Sequence, residues 1–134
     1  MIVIHCDGSI TADRTKAKYG FIIRDGDSVV HGSGVVPEQW GNTTNVGEYF
    51  AVLMALWTLR EGGVPTDEVV VKSDSQLVIY QLTGRYQVLK DHLRKLNEQI
   101  RLACRGWDIR FEWIPREQNK EADALAGRPQ EETP

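Results

Sequence analysis

Apolar and polar residues alternate along much of the chain with the two-residue period of β-strands. Asp25-Gly26 is a hairpin signal, so the first three strands are predicted to form an antiparallel meander. Val69-Val70-Val71 is an uninterrupted apolar run, typical of a parallel strand covered on both faces. The last strand alternates with charged residues, which predicts an edge position. The predicted strands span residues 1–9, 17–23, 28–36, 69–71 and 109–113.

Helical spacing of apolar residues is clearest between Asn45 and Gly62. Shorter helices are predicted over residues 76–82, 89–103 and 119–126, the last capped by Asn119. Right-handed crossovers then give an α/β fold, a five-stranded mixed sheet of three antiparallel and two parallel strands flanked by helices. Ligands of such sheets bind outside the carboxyl ends of the parallel strands. The tryptophans expected in the core are Trp57, Trp107 and Trp113, while Trp40 is expected to pack in a loop.

A length of 134 residues predicts one domain over residues 1–127 and a disordered polar tail over 128–134. With 41% apolar and 26% charged residues, the composition is that of a globular protein. We find no leader and no stretch of transmembrane length, so we expect a cytoplasmic monomer without a membrane partner. Cys6 and Cys104 are expected to be reduced packing thiols. The net charge of −3 argues against non-specific coating of nucleic acid.

Four acidic residues, Asp7, Glu48, Asp74 and Asp123, fall where the predicted topology directs them to one edge of the sheet. Each also has a structural explanation. Asp7 could begin a turn, Glu48 fits a capping box with Asn45, Asp74 could cap the next helix, and Asp123 could be a surface acid in a first turn. Taken singly, the structural explanations are favoured for the last three, whereas their convergence favours a shared site.

Carboxylates that lie close together repel, and one or two divalent cations are the simplest means of stabilising them. Ligation by oxygen alone favours Mg²⁺, with Mn²⁺ able to substitute, over zinc. Two such ions can activate a water and stabilise the leaving oxygen during displacement at phosphorus. The residues therefore predict a phosphodiester hydrolase.

Four sequence blocks resemble the type 1 ribonuclease H (RNase HI) family in order and spacing. These blocks are Asp7-Gly8-Ser9, Thr43-Thr44-Asn45-Val46-Gly47-Glu48-Tyr49, Ser73-Asp74-Ser75-Gln76 and Asn119-Lys120-Glu121-Ala122-Asp123-Ala124-Leu125-Ala126. The resemblance implies the ribonuclease H-like fold and an endoribonuclease that cleaves the RNA strand of RNA–DNA hybrids, leaving 3′-hydroxyl and 5′-phosphate ends. It implies that the four acids are catalytic metal ligands, with Asp7 bridging two ions.

The same resemblance implies a set of substrate contacts. Gly8 and Ser9 match positions that approach the RNA backbone, Asn45 and Gln76 match minor-groove contacts, and Thr43 matches a DNA-phosphate contact. Asn45 could instead be a helix cap, and Gln76 could be a solvated helix residue. Double-stranded RNA is a further candidate substrate.

Three features depart from the family pattern. The loop before the last helix has no histidine, and we expect Arg116 to substitute in part through a phosphate contact, although it could be an ordinary exposed arginine. The basic protrusion of some members is absent, since residues 83–90 supply only Arg85 and Lys90. Thr44 stands where relatives often have asparagine, which questions one groove contact.

Two alternatives to this function remain. Metal-dependent exonucleases with a similar sheet place a second acid two residues after the first, where this chain has Ser9. That interpretation is therefore poor. The second alternative is a non-catalytic module of the same fold that binds hybrid or double-stranded RNA.

Overall fold

The computed structural model describes residues 1–127, so the predicted disordered tail of residues 128–134 lies outside the described residues. Short 3₁₀ turns precede the first and last helices at Glu38–Trp40 and Arg116–Gln118. The strands are β1 (Ile2–Ile10), β2 (Ala17–Asp25), β3 (Ser28–Val35), β4 (Val69–Ser73) and β5 (Ile109–Trp113). The helices are α1 (Thr44–Arg60), α2 (Gln76–Leu82), α3 (Asp91–Ala103) and α4 (Lys120–Leu125).

The five strands form one mixed sheet in the order β3-β2-β1-β4-β5. β1 pairs antiparallel with β2, and β2 pairs antiparallel with β3, whereas the β1–β4 and β4–β5 pairs are parallel. The predicted fold and the edge position of the last strand are confirmed. The parallel pairing of β1 with β4 ends where Cys6 lies opposite Ser73. Asp7 and Asp74 follow these residues at the same edge of the sheet.

The structure excludes two of the alternative explanations for the acids, while the predicted first strand is confirmed. β1 does not turn at Asp7 but continues to Ile10, paired throughout with β2. The N-cap of α1 is Thr43, whose Oγ1 accepts a hydrogen bond from the backbone N–H of Val46 at 3.2 Å. Asn45 therefore lies inside the helix, which excludes the capping box that would have explained Glu48 structurally.

The main core lies between the sheet and α1, ten of whose residues are buried. A buried polar network joins the three helices on this face. The hydroxyl of Tyr49 donates to Oε1 of Gln81 at 2.6 Å and accepts from Nδ2 of Asn97 at 3.2 Å. Because α1, α2 and α3 each supply one member, the network fixes the packing of the helices around α1.

The predicted core position is confirmed for one of three tryptophans, Trp107. Trp107 is buried, but Trp57 and Trp113 are each 38% exposed, so their assignment to the core is wrong. Trp113 is the last residue of an edge strand, where no further strand covers it. Trp57 lies on the outer side of α1. Trp40 packs against the core with its ring 6.4 Å from that of Phe50, as predicted.

The first turns of α1 lie directly on β1 and β2 because glycines occupy both surfaces. A Cβ atom at Gly8 would overlap the backbone nitrogen of Glu48, and a Cβ atom at Gly47 would overlap the carbonyl oxygen of Lys18. Only glycine permits this approach of backbone to backbone. The contact sets the distance between Glu48 and β1.

None of the helices found in residues 1–127 has the length and apolar character needed to cross a lipid bilayer.

Candidate metal centre

Three of the four predicted acids meet at the sheet edge. Asp7, Glu48 and Asp74 each offer a carboxylate oxygen, and these three oxygens lie within 4.8 Å of one another. Asp7 is fully buried, Glu48 is 7% exposed, and Asp74 is half-buried. The acids come from β1, α1 and the end of β4, which are far apart in sequence. Their meeting therefore depends on the tertiary fold.

Asp74 occupies the junction between β4 and α2 without capping the helix. The N-cap is Ser75, whose Oγ accepts from the backbone N–H of Val78 at 3.2 Å, so the alternative explanation of Asp74 as a cap is wrong. Its carbonyl oxygen accepts a hydrogen bond from Nε1 of Trp113 at 3.2 Å. Within the described part of the chain, its buried Oδ2 atom has no hydrogen-bond donor. A buried carboxylate oxygen without a donor is unfavourable unless a cation lies beside it.

Asp123 lies on α4, half-buried and outside the group of three oxygens within 4.8 Å. Two side-chain hydrogen bonds fix α4 to β1 on either side of Asp7. Nδ2 of Asn119 donates to the Cys6 carbonyl at 2.8 Å, and Oγ of Ser9 donates to the Ala126 carbonyl at 2.6 Å. The helix that carries Asp123 is thus attached to the strand that carries Asp7. The role of Asp123 as a metal ligand stays a prediction.

The contacts of α4 also change two interpretations. Asn119 occupies the predicted N-cap position of α4, but its side chain makes no capping hydrogen bond and contacts β1 instead. Ser9 is 6% exposed, and its hydroxyl is engaged with Ala126. We did not predict from the sequence that Asn119 helps to form the site. The available signal was its position four residues before Asp123, which places both residues on the same side of a short helix. The contact of Trp113 with Asp74 had no sequence signal.

Burial disfavours the charged forms of His5 and Cys6, the two ionisable residues that precede Asp7 on β1. Burial raises the pKa of the Cys6 thiol, and the negative charge of Asp7 raises it further. Burial lowers the pKa of His5, as do the nearby cations Lys72 and Arg24. In residues 1–127 the group of three acids contains no histidine or cysteine. The donor set is oxygen alone and anionic, which fits a hard divalent cation such as Mg²⁺ or Mn²⁺ and does not resemble a zinc site.

Most of the predicted substrate contacts lie on the elements that carry the acids. Thr43 is exposed at the N-cap of α1, and Asn45 is half-exposed in the first turn of the same helix. Gln76 is exposed as the first residue of α2, and Arg116 is exposed in a 3₁₀ turn. Gly8 is buried against α1. The two helix N-termini nearest Glu48 and Asp74 therefore present polar side chains, and both carry partial positive charge.

Residues 5–128 match the family model described as Reverse transcriptase-like. A crystal structure of RNase H1 from Halobacterium salinarum is similar at 30% identity with a TM-score of 0.79, covering 92% of each chain. The chain belongs to the type 1 ribonuclease H family.

One further solved structure and one curated protein are also similar to this chain. The structure of LC11-RNase H1 in complex with an RNA/DNA hybrid has a TM-score of 0.82 at 30% identity and covers 93% of both chains. Among curated proteins, Bifunctional protein Rv2228c of Mycobacterium tuberculosis is 33% identical over 129 residues. That match covers 93% of this chain but 34% of the mycobacterial protein, so the chain spans about a third of the length of this relative.

Proposed function

We propose that this chain is a metal-dependent endoribonuclease that hydrolyses the RNA strand of RNA–DNA hybrids and leaves 3′-hydroxyl and 5′-phosphate ends. The observation that carries the proposal is the meeting of the Asp7, Glu48 and Asp74 oxygens within 4.8 Å at the carboxyl edge of the parallel strands. Such a concentration of negative charge is suited to cations and, through them, to phosphate.

Asp7, Glu48 and Asp74 would hold the cation, and Asp123 would complete a site for two ions. The chemistry that Mg²⁺ or Mn²⁺ supplies when bound is polarisation of phosphoryl oxygens and activation of a water as nucleophile. The protein contributes a fixed geometry. Gly8 and Gly47 set the approach of Glu48 to β1, and the bonds from Ser9 and Asn119 fix α4 on the same strand.

Polar residues around the acids would position the hybrid. Asn45 and Gln76 carry carboxamides that can both donate and accept hydrogen bonds, which suits groove edges and the 2′-hydroxyl that distinguishes RNA from DNA. Thr43 and Arg116 would contact phosphates. The main chain of Gly8 and Ser9 would lie nearest the RNA backbone, because the Ser9 hydroxyl is already bonded to the Ala126 carbonyl. The hybrid bound by LC11-RNase H1 supports this choice of substrate, because that protein shares the fold over 93% of both chains.

The test is an assay on labelled RNA–DNA hybrid, double-stranded RNA and double-stranded DNA, with Mg²⁺, Mn²⁺ or EDTA. We expect cleavage of the RNA strand of the hybrid, dependent on the divalent ion, with product ends identified by enzymes that require a 5′-phosphate. Asp7→Asn should reduce the rate about a thousandfold or more, equivalent to about 4 kcal/mol of transition-state stabilisation. The matched control is Asp27→Asn, an exposed acid in the β2–β3 hairpin, which should retain the parent rate.

Hybrid cleavage that survives Asp7→Asn would refute the mechanism. Tight binding of hybrid or double-stranded RNA without cleavage by the parent protein would instead identify the non-catalytic module. We further propose that the active species is a monomer, which light scattering at the assay concentration would check.

A further inference from the structure

A cavity of about 430 Å³ lies between α2 and the edge strand β5, next to the acidic group but separate from it. Its walls include Tyr80 and Arg85 from α2 and the segment after it, and Phe111, Glu112 and Trp113 from β5. The volume is within the range of sites that hold a small organic molecule, about 300–1,000 Å³.

Three aromatic side chains give the cavity its apolar surface. Phe111 packs partly against the core, while Trp113 is 38% exposed. The ring of Tyr80 is held by neighbours, since the ring of Tyr86 meets it edge-on at 5.2 Å and the guanidinium of Arg85 lies 4.8 Å from its centre. Phe111 and Trp113 therefore add planar apolar surface to the wall, and the Tyr80–Arg85 pair places a cation beside it, which suits a planar ligand that carries an anion.

The charges in the cavity favour an anion on such a ligand. Glu112 is flanked by two cations, with Lys72 Nζ at 3.9 Å and Arg110 Nε at 3.7 Å. In the part of the chain that the structure describes, Arg85 forms no salt bridge with a carboxylate. The negative charge of the wall is therefore compensated, while the positive charge of Arg85 is available to a phosphate.

Two elements connect the cavity with the acidic group. Nε1 of Trp113 donates to the Asp74 carbonyl at 3.2 Å, so this residue contacts both places. α2 begins with Gln76 at the acidic edge and reaches Tyr80 four residues later, about 6 Å along the helix axis. A strand of nucleic acid lying near Gln76 would therefore have the cavity within reach.

We propose that this cavity binds one unpaired nucleotide, its base against Trp113 and beside the Tyr80–Arg85 pair, and its phosphate on Arg85. The bases of a duplex have their faces stacked on each other, so they cannot use these rings, whereas a strand leaving the duplex can. Aromatic platforms combined with cations are the general means of holding single strands. The nucleotide site does not require cleavage, and only its use beside a hybrid rests on the proposed function.

The first test is NMR of the intact protein, titrated with the single-stranded DNA oligonucleotide dT₄ in EDTA. Each of the four tryptophans has one indole N–H signal. We expect the Trp113 signal to shift on titration, whereas that of Trp57, equally exposed on α1, should not. Equal shifts of both signals, or no shift of Trp113, would overturn the proposal.

The second test compares the affinity of a blunt hybrid with that of the same hybrid carrying a four-nucleotide unpaired DNA overhang, again in EDTA. Stacking of one base on an aromatic ring predicts about a fivefold or larger gain from the overhang. Tyr80→Leu and Arg85→Gln should each bring the ratio of the two affinities close to one. The control is Arg60→Gln, an exposed arginine at the end of α1, which should keep the parent ratio.

Because Tyr80→Leu and Arg85→Gln change different kinds of side chain, the same result in both is not explained by one folding defect. Thermal melts check that each variant is folded. An unchanged ratio in folded Tyr80→Leu and Arg85→Gln would refute the site. Cleavage of blunt hybrid without any effect of the overhang would refute the cavity proposal and leave the proposed function standing. A shift of the Trp113 signal with dT₄ in a protein that cleaves no hybrid would support the nucleotide site and refute the proposed function.

Discussion

Replacing Gly8 with alanine should separate Glu48 from Asp7. The added Cβ would overlap the backbone nitrogen of Glu48 and would lie 2.8 Å from its Cα atom, whereas ordinary van der Waals separations begin at 3.4 Å. To restore an ordinary separation between these two carbon atoms, α1 must withdraw from β1 by at least 0.6 Å. The obstructing atoms belong to the backbone, so no side-chain rotation can relieve the overlap. This is overpacking at a site that cannot yield locally.

The expected cost of Gly8→Ala is about 3 kcal/mol of unfolding free energy, the upper part of the usual range for overpacking. That loss corresponds to a fall in melting temperature of roughly 10 °C for a chain of this size. The effect on the acidic group should be separate and larger, since metal sites tolerate ligand displacements of only about 0.2 Å. Binding of Mn²⁺ should weaken even at temperatures where the variant is folded.

Urea denaturation measures the unfolding free energy, and calorimetric titration with Mn²⁺ measures the affinity. Gly62→Ala is the matched control, because a Cβ there would lie 3.6 Å from the Leu59 carbonyl oxygen, an ordinary separation. That substitution should leave stability unchanged or raise it by about 0.4–1 kcal/mol. Parent-like stability and Mn²⁺ affinity in Gly8→Ala would refute the claim that this close approach positions Glu48.

Three further predictions concern single side chains. Asp74→Asn removes one of three close like charges, so it should raise the melting temperature measured without divalent ions. It should also diminish the further rise in melting temperature on adding Mg²⁺. No change in either quantity would contradict the claim that these three acids lie together and bind a cation. Ser9→Ala leaves the Ala126 carbonyl without its donor and should cost about 1–3 kcal/mol in urea denaturation, whereas exposed Ser33→Ala should change little. Hydrogen bonds from Thr11 and Thr15 lower the pKa of Asp13 to about 2, so these bonds stabilise the fold above pH 3.8 and are lost as the pH falls through about 2. An NMR titration should therefore place the Asp13 midpoint near 2, and a midpoint near 3.8 would show that the bonds do not form in solution.

Much of the fold could be predicted from local patterns. Strand alternation and the Asp25-Gly26 turn identified the meander, and the apolar run at Val69 identified a buried parallel strand. These signals are strong because they repeat over several residues or fix a turn. The first residue of α1 was harder to predict, because Thr43 and Asn45 are both good caps and the choice between them depends on where α1 meets β1.

The candidate site was predictable to the extent that it depends on topology. Parallel pairing places Asp7 and Asp74 at one edge, and this follows from the order of strands. The positions of Trp113 and Asn119 did not follow, because each makes one contact with a residue far away in the sequence. An apolar residue on a short edge strand has the same pattern whether it is buried or exposed, which is why Trp113 was misplaced.

Crystals soaked in Mn²⁺ and measured at the manganese absorption edge would show whether Asp7, Glu48 and Asp74 hold divalent cations. We expect an anomalous peak in contact with oxygens of all three acids, and a second peak that reaches Asp123 if two ions bind. A map with no peak among these acids at saturating Mn²⁺, or a peak elsewhere alone, would contradict this expectation.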